Sequence, residues 1–408
     1  MLKTFKYRLY PTKRQERVLQ AQLEECRWLW NTLLAERKTA WEERQETVDY
    51  YDQKAELPVM KSGERPGLKN VHSQVLQDVP LRLKKAMDAY FRRVNAGETP
   101  GYPRFKGQGR YDSITYAQWG NGITLSANHE RLSASKIGDI KIVYHRPLEG
   151  TPKNAILRRT ATGKWFVSIA CEWQPTSLPP TGHEVGIDVG LKTFATCSDG
   201  AEIANPRFFR TEEAALAKAQ RKHQIALDIH KTVKPEVTER VKTAQPDLDA
   251  AAIWQLVVTD PQELAAWHAR QKRRKVVART HERIAWRREN FAHQHSRKIV
   301  NTYDLIALED LAIPQMMHHH PLAKSIHDVA WGQFAALIVC KAVWAGRRCS
   351  EVDPRYTSQD CSGCGHRKTD LTLADRLYHC LACGLVIDRD LNAALNILAR
   401  GRVRLAQA

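Results

Sequence analysis

Residues 361–384 read CSGCGHRKTDLTLADRLYHCLACG. Cys361 and Cys364 form one C-x-x-C pair, Cys380 and Cys383 another. The interval between the pairs falls in the range of about 15–20 residues typical of four-cysteine zinc sites. Each pair turns two thiolates inward, about 2.3 Å from one shared Zn²⁺. Gly365 and Gly384 directly follow the pairs and allow the tight turns. A redox dithiol needs only one such pair. Four thiolates close a tetrahedron with no position left for substrate, so the expected zinc is structural. The other cysteines, Cys26, Cys171, Cys197, Cys340 and Cys349, lie among apolar neighbours and read as reduced core residues.

Upstream, the pattern changes twice. TFKYRLYPT alternates, with Phe5, Tyr7 and Leu9 on one face, and predicts a strand ended by Pro11. Thr12 to Gln15 resembles a capping box, and Leu19, Leu23, Cys26, Trp30, Leu33 and Leu34 make the stripe of a helix reaching about residue 44. A second helix is expected over VHSQVLQDVPLRLKKAMDAYFRRV, interrupted or kinked at Pro80. Strand-like segments follow: ITYAQ, ITLS, DIKIVY, AILRRT and KWFVSIACEW, the last two joined by a TATGK hairpin turn. A β-barrel with a helical insertion fits this order. PTSLPPTG then reads as a linker.

Beyond it the pattern is α/β. EVGIDVG, TFATCS, YDLIALEDL and RRCSEVD read as strands, and VAWGQFAALIVCKAVWAG as a buried helix stopped by Gly346. This mixture predicts a three-layer α/β fold. Residues 233–272 are more acidic, carry two short helix signals, and read as an insertion leading into the basic helix RRKVVARTHERIAWRRENFAHQHSRKIV. There Val277, Ile284, Phe291 and His295 form one stripe. Arg279, Arg283 and Arg287, with further arginines, dominate the rest. Charge of nearly one sign favours a phosphate-facing surface over a merely solvated one.

Lys and Arg number 63 against 45 acids, a net charge of +18, which points to a polyanionic partner, most simply nucleic acid. A run of about 18 apolar residues, able to span a bilayer, is not evident, and the opening residues lack the apolar core of a signal peptide. The expectation is a cytoplasmic protein, nucleoid-associated through DNA, with no membrane partner.

Three acids end or interrupt apolar strand-like segments: Asp188 in VGIDVG, Glu309 in DLIALE and Asp390 after LVI. One such acid is commonly a cap or turn residue. Three in one α/β segment suggest convergence on one site, and hard oxygen ligands suit Mg²⁺ or Mn²⁺. Two such ions about 4 Å apart can drive phosphodiester hydrolysis. The histidine run 318–320 reads as an exposed loop, and Trp28, Trp30, Tyr90 and Phe91 as core at helical spacing.

GIDVGLKTFATCSDG, IALEDL and DRDLNAALNI resemble the three segments of a RuvC-type nuclease domain, with the cysteine pairs between the second and third. That arrangement is similar to the TnpB family of transposon-encoded RNA-guided nucleases and to miniature type V CRISPR effectors. GYPRFKG and YTSQDCSGCGH resemble further family segments, so the likeness covers nearly the whole chain; the block 233–272 is longer than is typical.

The resemblance implies a multidomain α+β protein. A wedge β-barrel (1–11 and 101–178) with an inserted helical recognition lobe (12–100) precedes a ribonuclease-H-like nuclease domain (184–408) carrying a zinc ribbon (356–386). It implies Asp188, Glu309 and Asp390 as catalytic metal ligands, with Asp390 two residues before Asn392. Asp388 is then a neighbour that caps a helix or supports the site, and Asp310 points to the other face of its strand. Implied partners are a guide RNA and target double-stranded DNA; the oligomeric state stays open. Arg279, Arg283 and Arg287, with Arg104 and Lys106 of the GYPRFKG turn, are the candidate nucleic-acid contacts. Rival functions are a nuclease-inactive RNA-guided repressor and a DNA-joining transposase accessory protein. The repressor would be expected to lack a site acid, and all three acids are present.

Overall fold

In a computed structural model, which describes residues 1–407 apart from 319 and 373, the alternating N-terminal segment is strand β1 (Leu2–Tyr10). Its Phe5, Tyr7 and Leu9 are buried. Helix α1 (Lys13–Arg44) opens on a full capping box: Thr12 accepts the Gln15 N–H, and the Gln15 side chain accepts the Thr12 N–H. The expected stripe is buried along it. Short helices α2 (Tyr50–Ala55) and α3 (Leu57–Ser62) lead to α4 (Ser73–Asn95). Pro80 lies inside α4, which continues past it, so of the expected interruption or kink the helix is not interrupted.

The strands are β2 (Ser113–Tyr116), β3 (Ile123–Leu125), β4 (Arg131–Ala134), β5 (Gly138–Val143), β6 (Thr151–Arg159) and β7 (Trp165–Glu172). The short β4 escaped the sequence reading because RLSA carries only one strong β-former. The seven strands form one antiparallel sheet in the order β2-β6-β7-β1-β5-β4-β3. No ladder joins β2 to β3 among the described residues, yet the Tyr116 hydroxyl of β2 donates to the Ser135 carbonyl just past β4 at 3.3 Å. The sheet is thus nearly closed. All of this lies in one compact unit, Met1–Gln174; the second unit is Pro175–Ala408.

The second unit begins with the segment read as a linker. It is pinned rather than loose: the Thr181 and Gly182 N–H groups donate to the Asp304 carboxylate at 2.7–2.9 Å, and Arg347 pairs with the same group. A five-stranded sheet follows in the order β10-β9-β8-β11-β12. Its strands are β8 (Glu184–Val189), β9 (Thr193–Cys197), β10 (Glu202–Ala204), β11 (Leu305–Glu309) and β12 (Arg348–Val352). β8, β11 and β12 are parallel; β9 runs antiparallel to β8, and β10 antiparallel to β9.

Between β10 and β11 run α5 (Phe208–Ala244), α6 (Ala250–Thr259) and α7 (Pro261–Thr302). Here the sequence reading needs correction. The basic helix begins at Pro261, and α5 continues through Pro235 to Ala244. The stretch 233–272 is therefore the far end of a long helical hairpin plus α6. A buried polar cluster registers the pair: His230 Nε2 lies 3.0 Å from Glu263 Oε1, and Arg270 Nη1 lies 3.3 Å from His230 Nδ1.

After β11 come α8 (Ile313–Met316), α9 (His320–Val329) and α10 (Trp331–Ala345), ended as expected by Gly346 at φ 67°. Residues 323–345 reach a mean hydropathy of 1.2, long and apolar enough to cross a membrane by length and composition, which corrects the expectation from sequence. The stretch breaks at Ala330, held left-handed at φ 56°, and Phe334, Ile338 and Ala342 of α10 pack into the unit's core. That is the packing of core helices. In the histidine run, His318 is exposed as expected and residue 319 lies outside the described residues; 320 already starts α9.

Hairpin β13 (Leu377–His379) and β14 (Val386–Asp388) and helix α11 (Arg389–Ala406) complete the unit. Alternation along β11 shows the layering. Ile306 and Leu308 pack with Ile299, Phe334 and Ile338 of α7 and α10, whereas Leu305 and Ala307 pack with Ile397 and Leu398 of α11. The sheet is sandwiched, giving three layers. Gly186 lets α11 approach β8 closely: a Cβ there would collide with the Ala394 carbonyl.

Candidate functional site

The strand alternation decides which acids meet. On β8, Val185 and Ile187 face α7 and α10, so Gly186 and Asp188 face α11. On β11, Glu309 continues the Leu305–Ala307 face, also toward α11. The parallel register pairs Ile187 with Leu308, so Asp188 and Glu309 stand side by side one residue further on. Asp310 lies just past the end of β11, where its N–H donates to the Val352 carbonyl at 2.8 Å.

Asp390 stands just past a strand and in the opening turn of a helix, as the sequence reading placed it. Val386 and Ile387 of the LVI segment belong to β14, which among the described residues pairs with β13 in the cysteine module, and Asp390 sits in the first turn of α11. Asp388 is the N-cap, accepting the N–H groups of Asp390 and Leu391. The Arg389 guanidinium holds Asp390 Oδ1 at 3.0 Å.

Electrostatics register the convergence. Burial pushes the Asp188 carboxyl up to about 8, and the negative charges of Glu309, Asp390 and Asp388 push the same way. Burial also raises Glu309, opposed by a hydrogen bond from Thr357 and the charge of Arg400. A buried acid facing other acids favours either a proton or a cation in their midst, and oxygen donors of this kind suit a hard divalent ion.

The second site is the cysteine module. Its four sulfurs lie within 4.8 Å of one another, with Cys361–Cys383 at 3.7 Å and Cys364–Cys380 at 3.5 Å. A tetrahedron with bonds of about 2.3 Å has edges of about 3.7 Å, so the group could hold one zinc ion. The two knuckles repeat each other: Gly365 N–H donates to the Cys361 carbonyl, and Gly384 N–H to that of Cys380. Both glycines have positive φ, 78° and 75°. N–H groups of Cys383 and Ala382 aimed at Cys380 lower its thiol to about 6, while hydrogen bonding among the neighbouring thiols leaves Cys364 and Cys383 raised, so without a metal the first thiolate of the group forms at Cys380. Among the other cysteines, Cys26, Cys171 and Cys197 are buried as expected and Cys349 is half-buried, but Cys340 is exposed, on the side of α10 turned from the core.

The basic candidates are less uniform. Arg279 is exposed, but Arg283 and Arg287 both reach the buried Glu212 carboxylate of α5, at 3.3 and 3.1 Å. They tie the hairpin together while remaining about half exposed. In the first unit, the Arg104 side chain is exposed and its carbonyl accepts the Trp30 indole N–H. The Lys106 ammonium stacks over Trp30 at 4.6 Å. Trp30 is buried as expected, whereas Phe91 is 53% exposed and so is not core.

Sequence reading missed Thr357 and Asn396, and named Asn392 without its bonds; these residues join the two sites. The Thr357 hydroxyl donates to Glu309 Oε1 at 2.6 Å. Asn392 accepts the Ser362 N–H at 2.9 Å and donates to the Asp360 carbonyl at 2.8 Å. Asn396 donates to the carbonyls of Thr357 and Asp360. The available signal was two asparagines at i and i+4 within the apolar run LNAALNILA, Asn392 and Asn396.

Known proteins align with this layout. Residues 1–46 match the family model described as "Helix-turn-helix domain", here β1 with α1; residues 168–320 match "Probable transposase", and residues 331–397 "Cas12f1-like, TNB domain". A Streptomyces pristinaespiralis protein named "Putative RNA-guided DNA endonuclease" is 32% identical, covering 98% of this chain and 89% of its own. "Putative RNA-guided DNA endonuclease InsQ" of Escherichia coli (strain K12) is 28% identical over 99% of this chain and 94% of its own. The solved mini-RNA-guided endonuclease CRISPR-Cas_phi3 shares the fold at a TM-score of 0.51 and 10% identity, covering 99% of this chain and 92% of that one. With a relative this similar along nearly its whole length, the chain belongs to the TnpB family.

Proposed function

We infer that this protein is an RNA-guided DNA endonuclease whose chemistry resides at Asp188, Glu309 and Asp390. What supports the reading is that Asp188 and Glu309 stand near the ends of adjacent parallel strands on the face toward α11, and that, beyond burial, the charges of Glu309 and of Asp390 on α11 both push the Asp188 carboxyl up. The resident ion is Mg²⁺, with Mn²⁺ able to replace it; the raised Asp188 carboxyl fits a site that a cation neutralises. Bound there, a pair of divalent ions supplies an activated water and charge stabilisation for the leaving oxygen of a phosphodiester. The chain's own part is to hold three carboxylates at fixed spacing. Rigid strands carry two of them, and a capped helix carries the third.

Cys361, Cys364, Cys380 and Cys383 hold a structural zinc, and the module they close is a zinc ribbon inserted in a RuvC-like domain (184–408). The first unit serves as wedge and recognition lobe. Guide RNA pairing supplies sequence choice, while the protein reads a short flanking DNA motif and the shape of the heteroduplex. The basic surface, net +18 overall, holds the nucleic acid.

The deciding experiment is guided cleavage of a target plasmid beside a gel-shift on the same target, comparing wild type with Asp188→Ala, Glu309→Gln and Asp390→Ala. Loss of cutting with retained guided binding supports the reading. Wild-type cutting by all three variants places the nuclease site elsewhere. A nuclease-inactive repressor predicts guided binding without cutting in the wild type itself.

A further inference from the structure

Thr357 is 3% exposed and lies in the lead-in to the first cysteine knuckle. Its Oγ1 sits 2.6 Å from Glu309 Oε1 and 3.0 Å from the Pro354 carbonyl. A hydroxyl has one proton to give. The shorter, charge-assisted bond to a carboxylate takes it. Among the described residues, Thr357 is the hydrogen-bond partner of Glu309, so it fixes which way that carboxylate is turned.

The Thr357 backbone is itself strapped to α11. Asn396 donates to its carbonyl at 2.8 Å and to that of Asp360 at 2.7 Å. Asn392, fully buried, holds Asp360 and Ser362 from the same side of the helix. Arg400 adds a bond to the Asp360 carboxylate at 2.9 Å. The helix that carries Asp390 therefore also holds the cysteine module, and the cysteine module holds Glu309.

We propose that Thr357 is a positioning residue for the nuclease reaction. Its hydroxyl orients Glu309, leaving Oε2 as the free acceptor at the carboxylate cluster, and through Asn396 it links the cysteine module to that cluster. The inference rests on the nuclease reading above. Glu309 ends its strand and could otherwise swing between rotamers. A ligand oxygen displaced by even about 1 Å weakens both cation binding and reaction geometry.

The test uses the full chain with its co-purifying RNA. Thr357→Val removes the hydroxyl at nearly constant shape; Thr357→Ser keeps it. Cleavage rate is measured against Mg²⁺ concentration. Mn²⁺ affinity is measured separately by electron paramagnetic resonance without target DNA. Zinc content and gel-shift affinity in Ca²⁺ report whether the module and the guided complex are intact. Thr357→Val should cut about 10- to 100-fold more slowly, need more Mg²⁺ and bind Mn²⁺ more weakly, with zinc and guided binding unchanged. Thr357→Ser should recover most of both. Wild-type cutting and Mn²⁺ affinity in Thr357→Val, or a Thr357→Ser as impaired as Thr357→Val, overturns the proposal. Glu309→Gln, run alongside, separates the two readings. If it cuts like wild type, the nuclease assignment of Glu309 fails and this inference falls with it. If it is dead while Thr357→Val is normal, only this inference fails.

Discussion

The Asp388 carboxylate accepts the backbone N–H of Asp390 at 2.9 Å, so one acid of the pair fixes the turn on which the other is presented. The two aspartates are unequal. Asp388→Ala costs a helix cap, about 0.5–2 kcal/mol, and should keep substantial cleavage. Asp390→Ala should abolish cleavage while guided DNA binding stays near wild type. Plasmid cleavage and gel-shift on matched targets check both, and the reverse order of severity would reverse the assignment.

The contact of α11 with β8 makes a second prediction. Gly186→Ala forces a methyl against the Ala394 carbonyl and the Leu398 side chain. Overpacking of this kind costs about 1–3 kcal/mol. Because β8 and α11 carry two of the three acids, cleavage at permissive temperature should fall more than guided binding does. Thermal melts and cleavage rates on the same preparations test this.

One zinc per chain is expected from metal analysis of the folded, reduced protein. Cys380→Ser should lose the metal, melt at lower temperature and cut poorly, because Ser362 and Asp360 then lose their fixed place against Asn392. A variant free of zinc that melts and cuts like wild type would remove any structural role for the ion.

Lys341 gives a pH signature. It is nearly fully buried and donates to the His293 carbonyl and the Ser296 hydroxyl, each at 2.7 Å. Burial, aided by the charge of Arg297, lowers its amine to about 8. In the unfolded chain it titrates near about 10.4, so between these values the unfolded state binds more protons and stability rises with pH. Below about 8 both states are protonated and the cost of burying the charge is fully present. Lys341→Met should flatten the rise between about pH 8 and 10.4 and melt higher at pH 7. Melting curves across that window, taken as a difference from wild type, decide it.

Glu212 binds two guanidiniums that also face solvent, Arg283 and Arg287. The triple change Arg279→Ala, Arg283→Ala and Arg287→Ala should weaken RNA binding and flatten its salt dependence, by about one unit of slope for each phosphate no longer neutralised. Glu212→Gln should act oppositely, releasing both arginines toward phosphate and steepening the slope. Filter binding over a salt series reads both; an unchanged slope in the triple variant would turn this helix away from nucleic acid.

Periodicity made Asp188 and Glu309 legible, because period-two alternation sets the face of each acid before the strands are paired. The four cysteines were legible from spacing alone. The strand-to-helix change at Asp388–Asp390 was legible too, because an apolar run that stops on a capping aspartate marks a helix start; that this strand pairs in a two-stranded ribbon was not, since three apolar residues do not name their partner. The α5–α7 hairpin was obscured by composition. An acidic stretch beside a basic one looked like a boundary, although Pro235 sits mid-helix and the His230–Glu263 contact pairs residues 33 apart. Thr357 carries no local pattern that singles it out, and the spacing of Asn392 and Asn396 shows a shared helix face but not what it holds, since those partners are assembled only by the tertiary fold.

The acid on α11 comes late in the chain. Strands β8 and β11 are complete by residue 309, yet Asp390, Asn392 and the glycine-spaced crossing over β8 all wait for the final helix. A chain still on the ribosome can hold two of the acids and lack the third. Cluster formation thereby waits until residue 390 has been made, and a product broken off anywhere before it keeps most of the basic residues without the assembled acids. Such a fragment would occupy nucleic acid and compete with the whole protein.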